Sequence, residues 1–371
     1  MILHICCNLA GSTVFPQMFE ALKDEGLEQI VFVPEKRRKD LGKNEPQGVE
    51  TYSALTVKRS DALFFSRKAK RSVPVIENGV AMSRVKLIHA HTLFTDGSIA
   101  LALHEKYNIP YIVSLRYSDI EAIWKYEPHL HGLARRILRA AKRVVFLSST
   151  ARDKVLKGWL SSRERAQISP KTAVIPNGIA PQWLDGTARE ACESPLRVGF
   201  AGKMTKRKRP LDALAAVRQA CEDGMPCVLR AVGEGKLMND LIAGLHEGDS
   251  YLGVARDMEA MKRFYAGVDV LLVPSSAETF GMVYLEAMSQ GVPVLYTRGQ
   301  GFDGQFEEGE VGFSVVCGKV KQQAQMLGEI TADYALRSAR CIELAKDYAW
   351  PVVAKKWTRL YQTILEPWIV D

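Results

Sequence analysis

The chain has 371 residues, room for about two domains at ~150 residues each, and its 47% hydrophobic and 25% charged content is that of an ordinary globular protein. Its net charge of +8 is uneven: residues 1–190 hold 29 Lys+Arg against 19 Asp+Glu, and residues 191–371 hold 21 against 23. No run approaches the ~20 apolar residues of a membrane span. The start, Met1-Ile2-Leu3-His4-Ile5-Cys6-Cys7, lacks a signal peptide's basic leader, and the seven cysteines show no CxxC pair, so a cytoplasmic protein with reduced thiols is expected.

Short apolar, β-branched runs recur along the chain, separated by amphipathic stretches. In the first half they are 2–6, 29–33, 87–91, 111–115, 143–147 and 172–175. In the second half they are 196–200, 228–232, 251–253, 270–273, 292–296 and 312–316. Such runs read as buried parallel strands with crossover helices on both sheet faces. Pro181, Gly186 and Pro195 break the rhythm. The boundary is expected there, with an N-terminal Rossmann-like domain at 1–182 and a C-terminal one at 190–350. Two such domains would face one another across a cleft at the carboxyl ends of their strands. The tail is expected to be a helix over 352–371 that packs back on the first domain, with Trp357, Leu360, Tyr361 and Leu365 on one face.

Three basic clusters lie in the first half: 36–39, 67–71 and 135–143. In the third, Arg135, Arg139 and Arg143 recur every fourth residue, beside Leu133, Ile137, Leu138 and Ala141. A helix of that pattern can lie on an anionic membrane surface, or pack its apolar face on its own sheet. At the start of the second half, Gly202-Lys203 is followed by Lys208 on a basic segment. Two fixed cations there can hold an anion; a solvated basic loop is the bland alternative. Further on, Val273-Pro274-Ser275-Ser276-Ala277-Glu278-Thr279-Phe280-Gly281 ends a strand and opens a helix that carries Glu286. Amides at 279–281 would be unpaired at the helix start and suit an anion. Two glutamates eight apart would by themselves be a solvated helix face.

The segment from Pro274 to Gly291-Val292-Pro293-Val294 resembles the signature of glycosyltransferase family 4, the retaining GT-B enzymes: Pro-Ser, a glutamate, seven residues, a second glutamate, then Gly-x-Pro-Val. The basic pair Lys203 and Lys208 resembles the family's Arg-or-Lys and Lys five apart. Val232-Gly233-Glu234-Gly235, the segment Tyr251–Arg256 and Pro176-Asn177-Gly178 follow the family's order over nearly the whole chain. The resemblance implies a GT-B fold and a metal-independent transfer from a nucleotide-sugar donor to a saccharide or lipid-linked acceptor, as in cell-surface polysaccharide synthesis, with no cofactor. It implies that Glu286 holds the ribose, that Glu278 lies near the transferred sugar, and that Gly11, Gly202, Gly233, Arg256, Thr279, Phe280 and Gly281 border the donor. His91 matches a histidine that faces the donor sugar, with a structural histidine at a strand end as the alternative. Catalysis would rest on His91, Lys203, Lys208 and Glu278. Arg116-Tyr117 stands where many relatives have His-Gly before Ser-Asp. That departure touches the acceptor side, here Arg116, Tyr117 and Asp119.

No Asp-x-Asp metal pair, Gly-x-Ser-x-Gly elbow or nucleic-acid recognition motif is found. The expectation is an enzyme at the inner face of the membrane or free in the cytoplasm. A non-catalytic partner subunit of the same fold and a basic nucleic-acid-binding protein are the alternatives.

Overall fold

A computed structural model describes residues 1–58, 61, 65–116, 118–278 and 280–365. The chain forms two compact units, Met1–Gly178 with Trp350–Asp371, and Ile179–Ala349. The crossing at Gly178 lies upstream of the Pro181–Pro195 stretch, which belongs wholly to the second unit.

The first unit holds seven parallel strands: β1 (Ile2–Ile5), β2 (Gln29–Glu35), β3 (Glu50–Leu55), β4 (Leu87–Ala90), β5 (Tyr111–Ser114), β6 (Arg143–Phe146) and β7 (Thr172–Val174). Their order is β3-β2-β1-β4-β5-β6-β7. The sequence pattern does not show β3. It is an edge strand of half-exposed and exposed residues, so it carries no apolar run. The second unit holds six parallel strands in the order β10-β9-β8-β11-β12-β13: β8 (Leu196–Ala201), β9 (Cys227–Val232), β10 (Ser250–Tyr251), β11 (Val270–Leu272), β12 (Val294–Thr297) and β13 (Gly312–Val315). Both sheets reverse direction of growth at a switch point, β1/β4 in one and β8/β11 in the other. The loops beyond the carboxyl ends there are where such sheets bind ligands.

The first sheet is buried on both faces. One face packs on helices that contribute Ile99, Leu103, Ile137 and Leu138, and the other on Phe15, Phe19 and the C-terminal helix Trp350–Leu365. That helix buries Trp350, Val353, Ala354, Trp357, Tyr361 and Ile364. The expected face is therefore corrected at its end: Ile364 is buried and Leu365 is exposed. The third basic cluster is corrected too. Its helix spans His131–Ala140, and Arg143 opens β6 instead of extending the ridge. The apolar residues Ala134, Ile137 and Leu138 are buried in the unit's own core. Arg135 donates to the Trp159 carbonyl, leaving Arg136, Arg139 and Lys142 as the exposed basic groups. Among the described residues no helix is long and apolar enough to cross a membrane.

Candidate active site

In the second unit the loops after β8, β9 and β11 meet. Gly202 sits at φ +145° and Gly233 at φ +128°. A Cβ on Gly233 would lie 1.9 Å from the Gly202 carbonyl oxygen, so the two backbones approach as only glycine permits. The Gly202 amide donates to Val232 and the Met204 amide to Glu234, which fixes the β8 loop against the β9 loop. The β8 loop is also tied to the β11 loop, because the Ser276 amide donates to the Arg207 carbonyl at 2.8 Å.

These ties bring Lys208 to Glu278. Their side chains form an ion pair, each largely buried. Lys203, five residues earlier, is exposed and has no ion-pair or hydrogen-bond partner for its ammonium among the described residues. The Glu278 amide donates to Gln300 Oε1 at 3.0 Å, and its carbonyl accepts from the Gly301 amide at 2.9 Å, so the loop is held from both sides. Gly281, at φ +86°, caps the helix Met282–Ser289, where a Cβ would meet the Tyr284 ring at 2.5 Å. Among the described residues the amides of Phe280 and Gly281 have no acceptor. Two free donors thus stand at a helix start, in the loop that carries Glu278, the partner of Lys208. Thr279 lies outside the described residues.

Glu286 lies on the helix Met282–Ser289, where its Oε2 accepts from the Tyr265 hydroxyl at 3.2 Å. Burial pushes its carboxyl up to about 7, against the lowering effects of that hydrogen bond and of the Lys208 charge. Arg256 is exposed and makes no ion pair or hydrogen bond among the described residues. It follows exposed Leu252 and Val254, an apolar strip that suits a nucleobase.

The first unit is different in kind. His91 follows β4 and is fully buried. Its ring lies against His4, Phe15, Phe19 and His89, and its Nε2 is 3.0 Å from His4 Nδ1. Among the described residues, His91 Nδ1 and His4 Nε2 are buried without partners. Burial holds the His91 ring well below the usual histidine range, so it is neutral. His89 is saturated: the Tyr361 hydroxyl meets one ring nitrogen and Ser114 the other, each at 2.8 Å. Nitrogen atoms of His4, His89 and His91 lie within 4.8 Å of one another, a grouping that could hold a metal ion. Along the sequence, no further Cys, His or Asp ligand stands near enough to His89 and His91 to suggest such a grouping. His4 supplies one through the β1–β4 register, in which His4 sits opposite His89.

Arg116 follows β5 and is 9% exposed. Its Nε donates to the His91 carbonyl at 3.3 Å and its Nη1 to Asn177 Oδ1 at 2.8 Å. Asp119 is buried and accepts from the amides of Arg116 and Phe94, which makes it a backbone tie. Tyr117 lies outside the described residues. Gly11 is exposed at the end of a short turn, and a Cβ there would meet nothing within 4 Å. Lys68 and Asp96 in the first unit, and Tyr265 and Gln300 in the second, lie near these residues, and no local pattern marks them.

Comparison with known proteins identifies the family. The description Glycosyltransferase Family 4 matches residues 12–183, and Glycosyl transferases group 1 matches residues 188–348. The chain belongs to the family 4-type glycosyltransferases and is a transferase enzyme. It is 26% identical over 308 residues to a D-inositol 3-phosphate glycosyltransferase of Corynebacterium urealyticum, covering 75% of this chain and 71% of the relative. It is 27% identical over 279 residues to a phosphatidyl-myo-inositol mannosyltransferase of Mycobacterium leprae, covering 66% and 74%. In fold it is similar to sucrose-phosphate synthase from Thermosynechococcus elongatus, with a TM-score of 0.75, 18% identity and 99% of each chain covered. It is also similar to Anabaena HepE, solved with UDP and glucose, with a TM-score of 0.70, 15% identity, and 98% and 99% covered. The two parallel-sheet domains are those of the GT-B fold.

Proposed function

We propose that this glycosyltransferase moves a sugar with retained configuration from a nucleoside-diphosphate sugar to a saccharide or lipid-linked acceptor, in cell-surface glycoconjugate synthesis, with no metal. The observation that carries the reading is the set Lys203, Lys208, Glu278 and the free amides of Phe280 and Gly281 at the carboxyl edge of the second sheet. Two ammonium groups and two amides can neutralise a diphosphate, the task a divalent ion performs elsewhere.

In this reading the donor diphosphate takes Lys208 from its ion pair, and Glu278 is freed toward the sugar hydroxyls. Glu286 accepts from the ribose hydroxyls, held in place by Tyr265. As the anomeric carbon–oxygen bond breaks, charge grows on the leaving phosphate, and the lysines gain most at that moment. The same phosphate oxygen takes the acceptor hydroxyl's proton while that hydroxyl oxygen bonds the anomeric carbon on the same face. The unpartnered Nδ1 of His91 supports a neutral contact to a sugar hydroxyl. The names of two relatives, which carry D-inositol 3-phosphate and phosphatidyl-myo-inositol, support an acceptor among polar, membrane-derived or phosphorylated alcohols. Exposed Arg136, Arg139 and Lys142 would then draw the first unit to an anionic leaflet.

The test is a panel of nucleotide sugars, UDP-glucose first, assayed for hydrolysis and transfer in EDTA, with the product anomer read by proton NMR. Retained configuration without metal is the expected result. An inverted product, or activity that needs Mg²⁺ or Mn²⁺, overturns the proposal.

A further inference from the structure

Two cations are buried at the carboxyl edge of the first sheet. Lys68 is 7% exposed and Arg116 is 9% exposed. The Lys68 ammonium donates to Thr95 Oγ1 at 3.2 Å and lies 3.7 Å from the centre of the Phe65 ring. The Arg116 guanidinium lies 4.8 Å from the centre of the Phe15 ring and gives Nε and Nη1 to His91 and Asn177. Its Nη2 has no partner among the described residues. Neither cation has a carboxylate within 4.0 Å among the described residues. Three buried carboxyls do pair with arginines, Asp61 with Arg71, Asp249 with Arg218 and Asp269 with Arg197, whereas buried Arg337 is held by the carbonyls of Gly309, Ile330 and Ala332. An unpaired buried cation is costly, so its place needs another compensating charge.

The placement indicates where that charge comes from. Arg116 follows β5, and Lys68 reaches Thr95, the first residue of the helix after β4. Both act on the same carboxyl, Asp96. Asp96 Oδ1 accepts from the Cys7 amide, and its Oδ2 has no partner among the described residues. Burial pushes Asp96 up to about 7 and Asp119 to about 6, so the local carboxyls offset the cations only in part near neutral pH. The helix end itself adds little, because the amides of Asp96, Gly97 and Ser98 are taken by Thr92 and Phe94. The positive charge is therefore that of the two side chains, and Arg116 Nη2 is left without a partner among the described residues.

We infer that Lys68 and Arg116 form an acceptor subsite for a phosphate-type anion, so that the acceptor is a phosphorylated alcohol. The inference rests on the transferase reading above, with the acceptor on the first unit. Arg116 supplies a planar fork to two phosphate oxygens, and Lys68 supplies a point charge. The substitution of Arg116-Tyr117 for the His-Gly seen in many relatives is then the change that sets acceptor choice.

The whole chain is saturated with UDP, to occupy the donor lysines, and inorganic phosphate is titrated in by calorimetry. The wild type is expected to bind one phosphate. Lys68→Gln and Arg116→Gln should each weaken it about tenfold or more, the usual loss for a hydrogen bond to a charged group. Arg116→Lys, which keeps the charge, should lose less, and UDP affinity should stay constant throughout. No phosphate binding to the wild type, or unchanged binding in both Gln variants, overturns the inference. UDP binding and UDP-sugar hydrolysis in the same samples report on the donor reading, so its failure is seen separately. Displacement of phosphate by glycerol 3-phosphate assigns a soluble acceptor, and displacement by phosphatidic acid vesicles assigns a lipid. Equal displacement by glycerol or phosphatidylcholine vesicles counts against an anionic acceptor.

Discussion

The carboxyl edges of the two sheets solve the same problem with opposite materials. In the second unit the polar groups are at hand: Lys203 is exposed, Lys208 and Glu278 pair with each other, and two amides at a helix start are free. In the first unit they are sunk: three histidines, Lys68, Arg116, Asp96 and Asp119 are all nearly or fully buried. A set with one exposed lysine and unpartnered amides can meet a flexible diphosphate at little desolvation cost. A sunk set is rigid and selective, since a ligand lacking the right group leaves buried charges unmatched. On the proposed reading the second unit would hold a common donor and the first would choose an acceptor.

The largest expected effect tests whether the first unit's rigidity comes from its packing. Trp357 is 2% exposed and stacks near His89 and Tyr361 under the histidine cluster. Trp357→Ala should cost ~3–5 kcal/mol of stability, read by denaturant unfolding. The second unit's UDP affinity should hold under native conditions. Equal loss of donor binding would erase the contrast between the units.

Next comes the donor edge. Lys208→Ala removes one leaving-group cation and leaves Glu278 unpaired. Turnover should fall by ~2.7–4 kcal/mol in activation free energy, with a smaller change in donor KM. A KM effect without a kcat effect would make Lys208 a binding group only.

These two outcomes bear on what the sequence makes legible. The donor edge is written in two short segments, Gly202–Lys208 and Pro274–Glu286, so its spacing is visible along the chain. Ten of the twelve expected strand runs are buried apolar segments of the sheets, while β3 is hidden by its polar, exposed edge. The first unit's edge is assembled from distant strand ends: His4 meets His91 across 87 residues, and His89 meets Tyr361 across 272. No local spacing encodes such contacts. Lys68 in particular reads as one more basic residue in a charged run, and only folding takes it out of water.

Glu286 gives a subtler effect, through pH. Its folded carboxyl is raised from 4.5 to about 7, so the folded state binds the extra proton between those values. Stability should therefore fall as pH rises from about 4.5 to about 7, then level off. Donor affinity should move the other way, since the carboxylate is the better acceptor for ribose hydroxyls. Glu286→Gln should flatten both profiles, and Glu286→Ala should weaken donor binding by ~1.5–3 kcal/mol. A donor affinity independent of pH between 6 and 8 in the wild type would remove Glu286 from the ribose. The smallest effect is on the first unit's surface. Arg136, Arg139 and Lys142 should each add ~1 kcal/mol to binding of anionic vesicles at low salt, measured by co-sedimentation and lost at high salt.

The central claim is that side chains of the second unit, without metal, hold the donor diphosphate. The direct measurement is calorimetric titration of UDP in EDTA into the wild type and into the Lys203→Ala/Lys208→Ala double variant. The account predicts one UDP bound by the wild type and none by the double variant at the same concentrations. Binding that appears only with added divalent metal, or that survives loss of both lysines, would contradict it.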